Sequence, residues 1–334
     1  MTSQTIRTRF LVLSDTHGKL LPENRKPKDP VDVVIHCGNL TQESKLKEFR
    51  TAIRLLKSID APLKLVIAGN HDFTLDTPTF SRKLEEFQPS IDKELIEREY
   101  GGLGEARKLL DEAAKEGITF LDEGTHNFTL ANGAHLTVYA SPYTPSINNW
   151  GFQYDPRQGH EWPIKLDVDI VMTHGPPLGI FDLQGSRRIG CPQLFEAVSN
   201  AKPLMHCFGH VHNDWGARLV RWREKIPNPP SHSTSFEKKE SVTIETLKTL
   251  KTARFDTVEM IMEKYKRIKK YEADGYCETR HSKGTKHPLE RGAQTLFVNA
   301  AIQGPEDDPF HFPWVVEFNL PKSKGPCHSC LLKG

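Results

Sequence analysis

A chain of 334 residues with 37% hydrophobic and 9% aromatic side chains is long enough to bury a sizeable core, and its composition is that of a globular protein rather than a fibrous or low-complexity one. Its 45 lysines and arginines stand against 43 acids, and the formal charge of +2 gives no reason to expect a nucleic-acid or membrane partner. No run of about 18 apolar residues occurs, and the opening "MTSQTIRTRFLVLSDTHG" lacks the long apolar stretch of a secretory leader, so a cytoplasmic protein is expected.

The first predicted element is a strand in "RFLVLSDTHG", whose apolar run stops at Ser14 and Asp15. "DVVIHCGN" repeats the pattern and ends at Asn39. A helix follows in "TQESKLKEFRTAIRLLKSI", where Leu46, Phe49, Ile53, Leu56 and Ile59 recur at helical spacing. "LKLVIAGNHD" is a third buried strand, ending at Asn70, His71 and Asp72. "HNFTLANGAHLTVYAS" alternates around Asn132-Gly133 and predicts a β-hairpin. "DIVMTHGPP" leads to His174, "QLFEAVSNA" is helical, "LMHCFGHVH" leads to His210 and His212, and "TLFVNAAI" is a last strand. Runs of four to six apolar residues that break into Asp, Asn, His and Gly are the signature of buried strands whose C-terminal ends open onto a crevice.

Residues 224–288 differ in character. They open with "PNPPSHSTS" and become rich in Lys, Glu and Thr, with a helix-capable stretch carrying Val258, Ile261, Met262 and Tyr265 on one face. They are predicted to be a polar, partly helical insertion, dispensable for folding, within a single domain made of residues 1–223 and 289–334. Six scattered cysteines predict no disulfide framework, and the terminal "CHSC" of Cys327 and Cys330 is expected to be an exposed peptide.

Five polar fragments therefore end predicted strands: Asp15 and His17, Asn39, Asn70 with His71 and Asp72, His174, and His210 with His212. Residues i and i+2 of a strand point the same way, so Asp15 with His17, and His210 with His212, are expected to present paired ligands. Carboxylate and imidazole donors of this kind suit first-row divalent metals better than Mg²⁺.

In this order the fragments resemble the signature of the calcineurin-like metallophosphoesterases, Asp-x-His, Gly-Asp, Gly-Asn-His-(Asp/Glu), His and Gly-His-x-His. "VIHCGNLT", "AGNHD", "THGPPLG", "GCPQLFEAV" and "HCFGHVHNDWG" are similar to the metallophosphoesterase-domain-containing branch, over residues 8–220 and again near 296–320. The resemblance implies an α/β fold, a four-layer αββα sandwich of two mixed sheets flanked by helices. It implies two divalent metal ions, Mn²⁺ first with Fe or Zn as alternatives. Asp15, His17 and His212 would hold one, Asn70, His174 and His210 the other, with position 39 bridging. It also implies hydrolysis by a metal-bridging hydroxide. His71 would face the phosphoryl group and the leaving oxygen, and Asp72 is expected to orient the His71 ring by accepting its hydrogen bond. Tyr143, Trp150 and Phe152 are candidates for an aromatic wall, and Arg187 and Arg188 for contacts to a phosphate or carboxylate.

The family pattern has an aspartate where this chain has Asn39. An amide nitrogen has no lone pair for a metal and the carbonyl oxygen has no formal charge, so one anion is missing between the cations and the second metal is expected to bind weakly. Three explanations stay open: a divergent member with weakened activity, a substitution made to slow turnover, or a centre bridged adequately by the amide oxygen. The leading function is a metal-dependent phosphodiesterase or phosphoesterase acting on a small phosphate ester or nucleotide-like substrate. The rivals are hydrolysis of a non-phosphate ester, lactone or other carbon electrophile at the same site, and a low-activity nucleotide-binding or scaffold protein.

Overall fold

The computed structural model describes residues 4–86, 92–304 and 311–323. Two sheets pack face to face. In the first, the strands run in the order Cys277–Arg280, Trp314–Pro321, Thr5–Leu13, Val33–His36, Leu63–Val66 and Ile118–Phe120. Its pairs are parallel except for Thr5–Leu13 against Trp314–Pro321. The second runs Val242–Thr246, Gly216–Arg221, Gln294–Asn299, Met205–Phe208, Ile170–Thr173, His135–Ser141 and Gly124–Thr129. Its central pairs are parallel and its outer ones antiparallel.

Strand alternation divides the side chains between two buried faces. Phe10 and Val12, Val33 and Ile35 turn inward to meet Val138, Met172, Cys207 and Val298 of the other sheet. Leu11, Leu13 and Val34 turn outward against Phe49, Leu55 and Leu56 of the helix Leu46–Lys57, which is the helix predicted there. On the opposite side Tyr139, Val171, Phe208 and Phe297 meet Leu194, Phe195 and Val198 of the helix Pro192–Ala201. The molecule is thus an αββα sandwich. The hairpin predicted around Asn132-Gly133 pairs Gly124–Thr129 with His135–Ser141.

The segment 224–288 is built into both sheets. Val242–Thr246 is the outermost strand of the second sheet, and Cys277–Arg280 is the outermost strand of the first. Phe236, Leu250 and Cys277 are buried. Between the two strands lies the helix Val258–Asp274, capped by the Thr257 hydroxyl and ended by Gly275 in the left-handed conformation. Its inner face packs through Ile268 and Tyr271. Val258, Met262 and Tyr265 point outward and are 72%, 61% and 56% exposed. Composition made the segment look peripheral, whereas in the structure it hydrogen-bonds to both sheets.

Cys37, Cys191, Cys207 and Cys277 are buried free thiols, while Cys327 and Cys330 lie outside the described residues.

Candidate metal centre

The candidate ligands sit just past the strand ends rather than on the strands, in loops or, for His212, at the start of the 3₁₀ turn His212–Asp214. Asp15, His17, Asn39 and His210 all have positive φ, at 58°, 48°, 53° and 67°. Residues with a Cβ adopt this conformation at a cost, and such strain collects where a site demands it. The pairing expected from strand alternation is corrected accordingly, since it is turn geometry that aims these side chains. The loops are fixed to one another by backbone hydrogen bonds: Asp15 N–H to Gly38 O at 2.9 Å, His17 N–H to Asn39 O at 3.0 Å, Gly209 N–H to His174 O at 3.0 Å and His174 N–H to Ser141 O at 3.1 Å.

Two groups of donors result. In the first, His212 Nε2 lies 3.3 Å from Asp15 Oδ1 and 3.4 Å from His17 Nε2, and His17 Nε2 lies 3.8 Å from Asp15 Oδ1. In the second, Asn70 Oδ1 lies 2.9 Å from His174 Nε2 and 3.0 Å from His210 Nδ1. An ion about 2.1 Å from each of its ligands holds neighbouring ones about 3.0 to 3.5 Å apart, and these separations lie near that range, the 3.8 Å between His17 and Asp15 being the widest. Asp15, His17 and His212 form the one such group of His, Cys, Asp and Glu side chains found among the described residues.

The protonation chemistry agrees with these dimensions. Burial pushes His17 and His210 down to about 3 and lowers His174 as well, so all three are neutral imidazoles with a lone pair to give. His174 donates its Nδ1–H to the Cys37 carbonyl at 2.8 Å, which leaves Nε2 without a proton. That nitrogen is an acceptor 2.9 Å from Asn70 Oδ1, a contact that a cation between them, or the amide turned to present its NH₂, satisfies. Burial alone would raise the Asp15 carboxyl, but the hydrogen bond and charge of His212 outweigh it and hold the group well below the usual carboxylate range.

Asn39 is oriented by its neighbours. The His71 N–H donates to Asn39 Oδ1 at 2.9 Å, and Asn39 Nδ2 donates to Asp15 Oδ1 at 2.9 Å. Turning the amide over would set its NH₂ against the His71 N–H, donor against donor. The oxygen is therefore committed to the backbone, and the end facing Asp15 is an NH₂ with no available lone pair. A carboxylate here would offer two charged oxygens, one for the His71 N–H and one for a metal, whereas the amide offers a single uncharged oxygen already accepting that N–H.

His71 lies beside the first group, its ring 4.9 Å from that of His17. Its Nδ1–H donates to the Gln42 carbonyl at 2.7 Å, which leaves Nε2 as the nitrogen free for chemistry. The expected bond from this ring to Asp72 is absent. Asp72 is wholly buried and accepts instead from Leu40 N at 3.0 Å, Thr41 N at 2.9 Å, Thr41 Oγ1 at 2.6 Å and Gly69 N at 2.8 Å. It staples the Asn39 loop to the Asn70 loop. Burial raises its carboxyl to about 6 against the pull of these four donors.

Of the outer candidates, Trp150 comes closest to the chemistry, with its ring 4.3 Å from that of His71. Tyr143 packs instead on His160 and Phe152. Arg188 is held by buried Asp182 at 2.5 Å, and Arg187 is exposed on the short ribbon formed by Leu183–Gln184 and Arg187–Arg188. Two glycines matter that sequence reasoning passed over. A Cβ on Gly209 would stand 2.1 Å from Asp15 Oδ2, and one on Gly69 would stand 2.4 Å from Asn39 Oδ1. The recurring Gly before His210 and before Asn70 was the available signal.

A family profile described as calcineurin-like phosphoesterase matches residues 8–214. Metallophosphoesterase domain-containing protein 1 of Homo sapiens is 32% identical over 225 residues, covering 63% of this chain and 62% of that protein. Probable rhamnogalacturonate lyase C of Emericella nidulans is 33% identical over 218 residues, covering 64% of this chain and 18% of the fungal protein. The chain thus spans less than two thirds of the length of these relatives. The solved purple acid phosphatase PPD1 from yellow lupin overlaps 99% of this chain and 56% of its own at 11% identity, with a TM-score of 0.40 that is too low to bear on the reaction.

Proposed function

Because this chain belongs to the calcineurin-like phosphoesterase family, we propose that it is a metal-dependent phosphoesterase, and within that class a phosphodiesterase that uses Mn²⁺ on a small phosphate ester or nucleotide-like substrate. The observation that carries this reading is the convergence of Asp15, His17 and His212, and of Asn70, His174 and His210, from the ends of strands in both sheets.

Divalent ions held by these groups would supply Lewis-acid charge for phosphoryl oxygens and a water activated near neutral pH. The chain's own residues do the rest. Asp15 brings the formal negative charge, and the neutral imidazoles bring lone pairs. His71, tethered through Nδ1 to Gln42, turns Nε2 to a phosphoryl or leaving-group oxygen, where a proton on that nitrogen offsets developing charge. Burial lowers the pKa of His71, and an arriving phosphoryl anion favours the protonated ring. Trp150 covers one face of the imidazole, limits its rotation and offers a flat surface to a substrate base or aromatic ester. The NH₂ of Asn39 at the centre makes the second ion the weaker one and the enzyme an attenuated member of its class.

The test is a metal-stripped protein given Mn²⁺ and assayed on a chromogenic phosphodiester and a chromogenic carboxyl ester, with Asp15→Ala in parallel. Mn²⁺-dependent release from the phosphodiester that disappears in Asp15→Ala is the expected result. Release from the carboxyl ester alone would overturn the phosphoesterase reading.

A further inference from the structure

The two donor groups differ in charge, and among the described residues no side chain between them makes up the difference. Asp15 is the sole formal anion among the six donors, since Asn70, His174 and His210 are an amide and two imidazoles. Asn39, at the position the family pattern gives to the bridging carboxylate, gives Asp15 Oδ1 an N–H and accepts the His71 backbone N–H with its oxygen. A first dication therefore meets a carboxylate. A second, entering the neutral group beside it, meets only dipoles and the repulsion of the first ion, which grows as the product of the two charges.

We propose that this chain retains one divalent cation at Asp15, His17 and His212 on its own, and takes a second at Asn70, His174 and His210 only together with an anionic phosphoryl ligand. This rests on the phosphoesterase reading for the identity of the anion. A bound phosphate or phosphate ester would supply the negative charge that a carboxylate at position 39 would otherwise provide, and His212, partly exposed, marks the open side of the site. Ion and ligand then bind interdependently: each tightens the other by the same factor, because the coupling free energy is shared. Occupancy of the group formed by Asn70, His174 and His210 would then follow the supply of phosphate ester.

The experiment is equilibrium dialysis of the full chain against Mn²⁺, with bound metal counted by elemental analysis, with and without inorganic phosphate. One ion per chain without phosphate and two with it are expected, with the second Mn²⁺ tightened about tenfold or more at saturating phosphate and phosphate tightened equally by Mn²⁺. Asn39→Asp is expected to hold two ions in both conditions. His210→Ala is expected to keep the first ion and lose the phosphate-dependent one, which keeps the test open should Asn39→Asp fail to fold. Two ions bound tightly without phosphate, or one ion at saturating phosphate, would overturn the proposal. If phosphate leaves the metal count unchanged while the phosphodiester is still cleaved, the coupling fails and the phosphoesterase reading stands. A phosphate-dependent second ion with no phosphodiester cleavage would sink that reading and leave the coupling in place.

Discussion

Asn39 and Asp72 lie on adjoining loops, and their hydrogen bonds show how much turns on a single atom type. Asp72 needs both oxygens, because Oδ1 takes the Thr41 N–H and hydroxyl while Oδ2 takes the Leu40 and Gly69 N–H groups. Asp72→Asn would put an NH₂ against one of these pairs. About 1 to 3 kcal/mol for each stranded buried donor is expected from urea denaturation, and a loss under about 1 kcal/mol would mean that the loops find other acceptors. His71 belongs to the chemistry rather than to the loop frame, since its Nδ1 is used on Gln42 and its Nε2 is free. His71→Ala should lower phosphodiester turnover by about 10² or more and leave the metal count unchanged. Loss of metal together with activity would place His71 among the ligands. The clustering of Asp15, His17, His174, His210 and His212 was legible in the sequence because each lies in a polar fragment that directly follows an apolar run. The orientation of the Asn39 amide and the true partners of Asp72 were not, because both are decided by backbone N–H groups of other segments.

Between residues 224 and 288, composition misled at the level of whole elements. "VTIET" does carry a β-branched signal, and it forms the strand Val242–Thr246, but the Lys- and Glu-rich helix that follows masked it. "CETR" has no comparable signal and becomes a strand because Trp314–Pro321 offers it an edge. The strand Val242–Thr246 is tied to the helix Val258–Asp274 by Glu245, which is buried and accepts from Arg267 Nη1 at 2.6 Å and the Tyr271 hydroxyl at 2.9 Å. Glu245→Ala removes the counter-charge of Arg267, whose side chain is partly solvated, and a loss of about 1 to 3 kcal/mol is expected, with faster amide exchange along Val258–Asp274 as the local readout. Joining Arg223 to Leu289 with a short linker is the severe version of the same test. It strips an outer strand from each sheet and should yield an aggregating protein without a cooperative melt. A soluble, cooperative product would show that the remaining edges protect themselves.

Across the whole molecule, the four layers follow from strands buried on both faces, which is why near-continuous apolar runs without polar alternation predicted a covered sheet. Which strand lies beside which could not be read in the same way, because pairing of distant segments such as Thr5–Leu13 with Trp314–Pro321 leaves no local mark. No helix among the described residues is long and apolar enough to cross a membrane. What the sandwich achieves is the meeting of loops from two sheets at one crevice: Asp15 from the first sheet and His212 from the second come within 3.3 Å of each other across nearly two hundred residues of chain. The claim that this meeting point is a metal centre is tested most directly by anomalous X-ray scattering at the manganese edge, from crystals of the full chain grown with Mn²⁺. A peak about 2.0 to 2.3 Å from the Asp15 carboxylate and the Nε2 atoms of His17 and His212 is the expected result. Manganese bound elsewhere, with none between these three side chains, would contradict it.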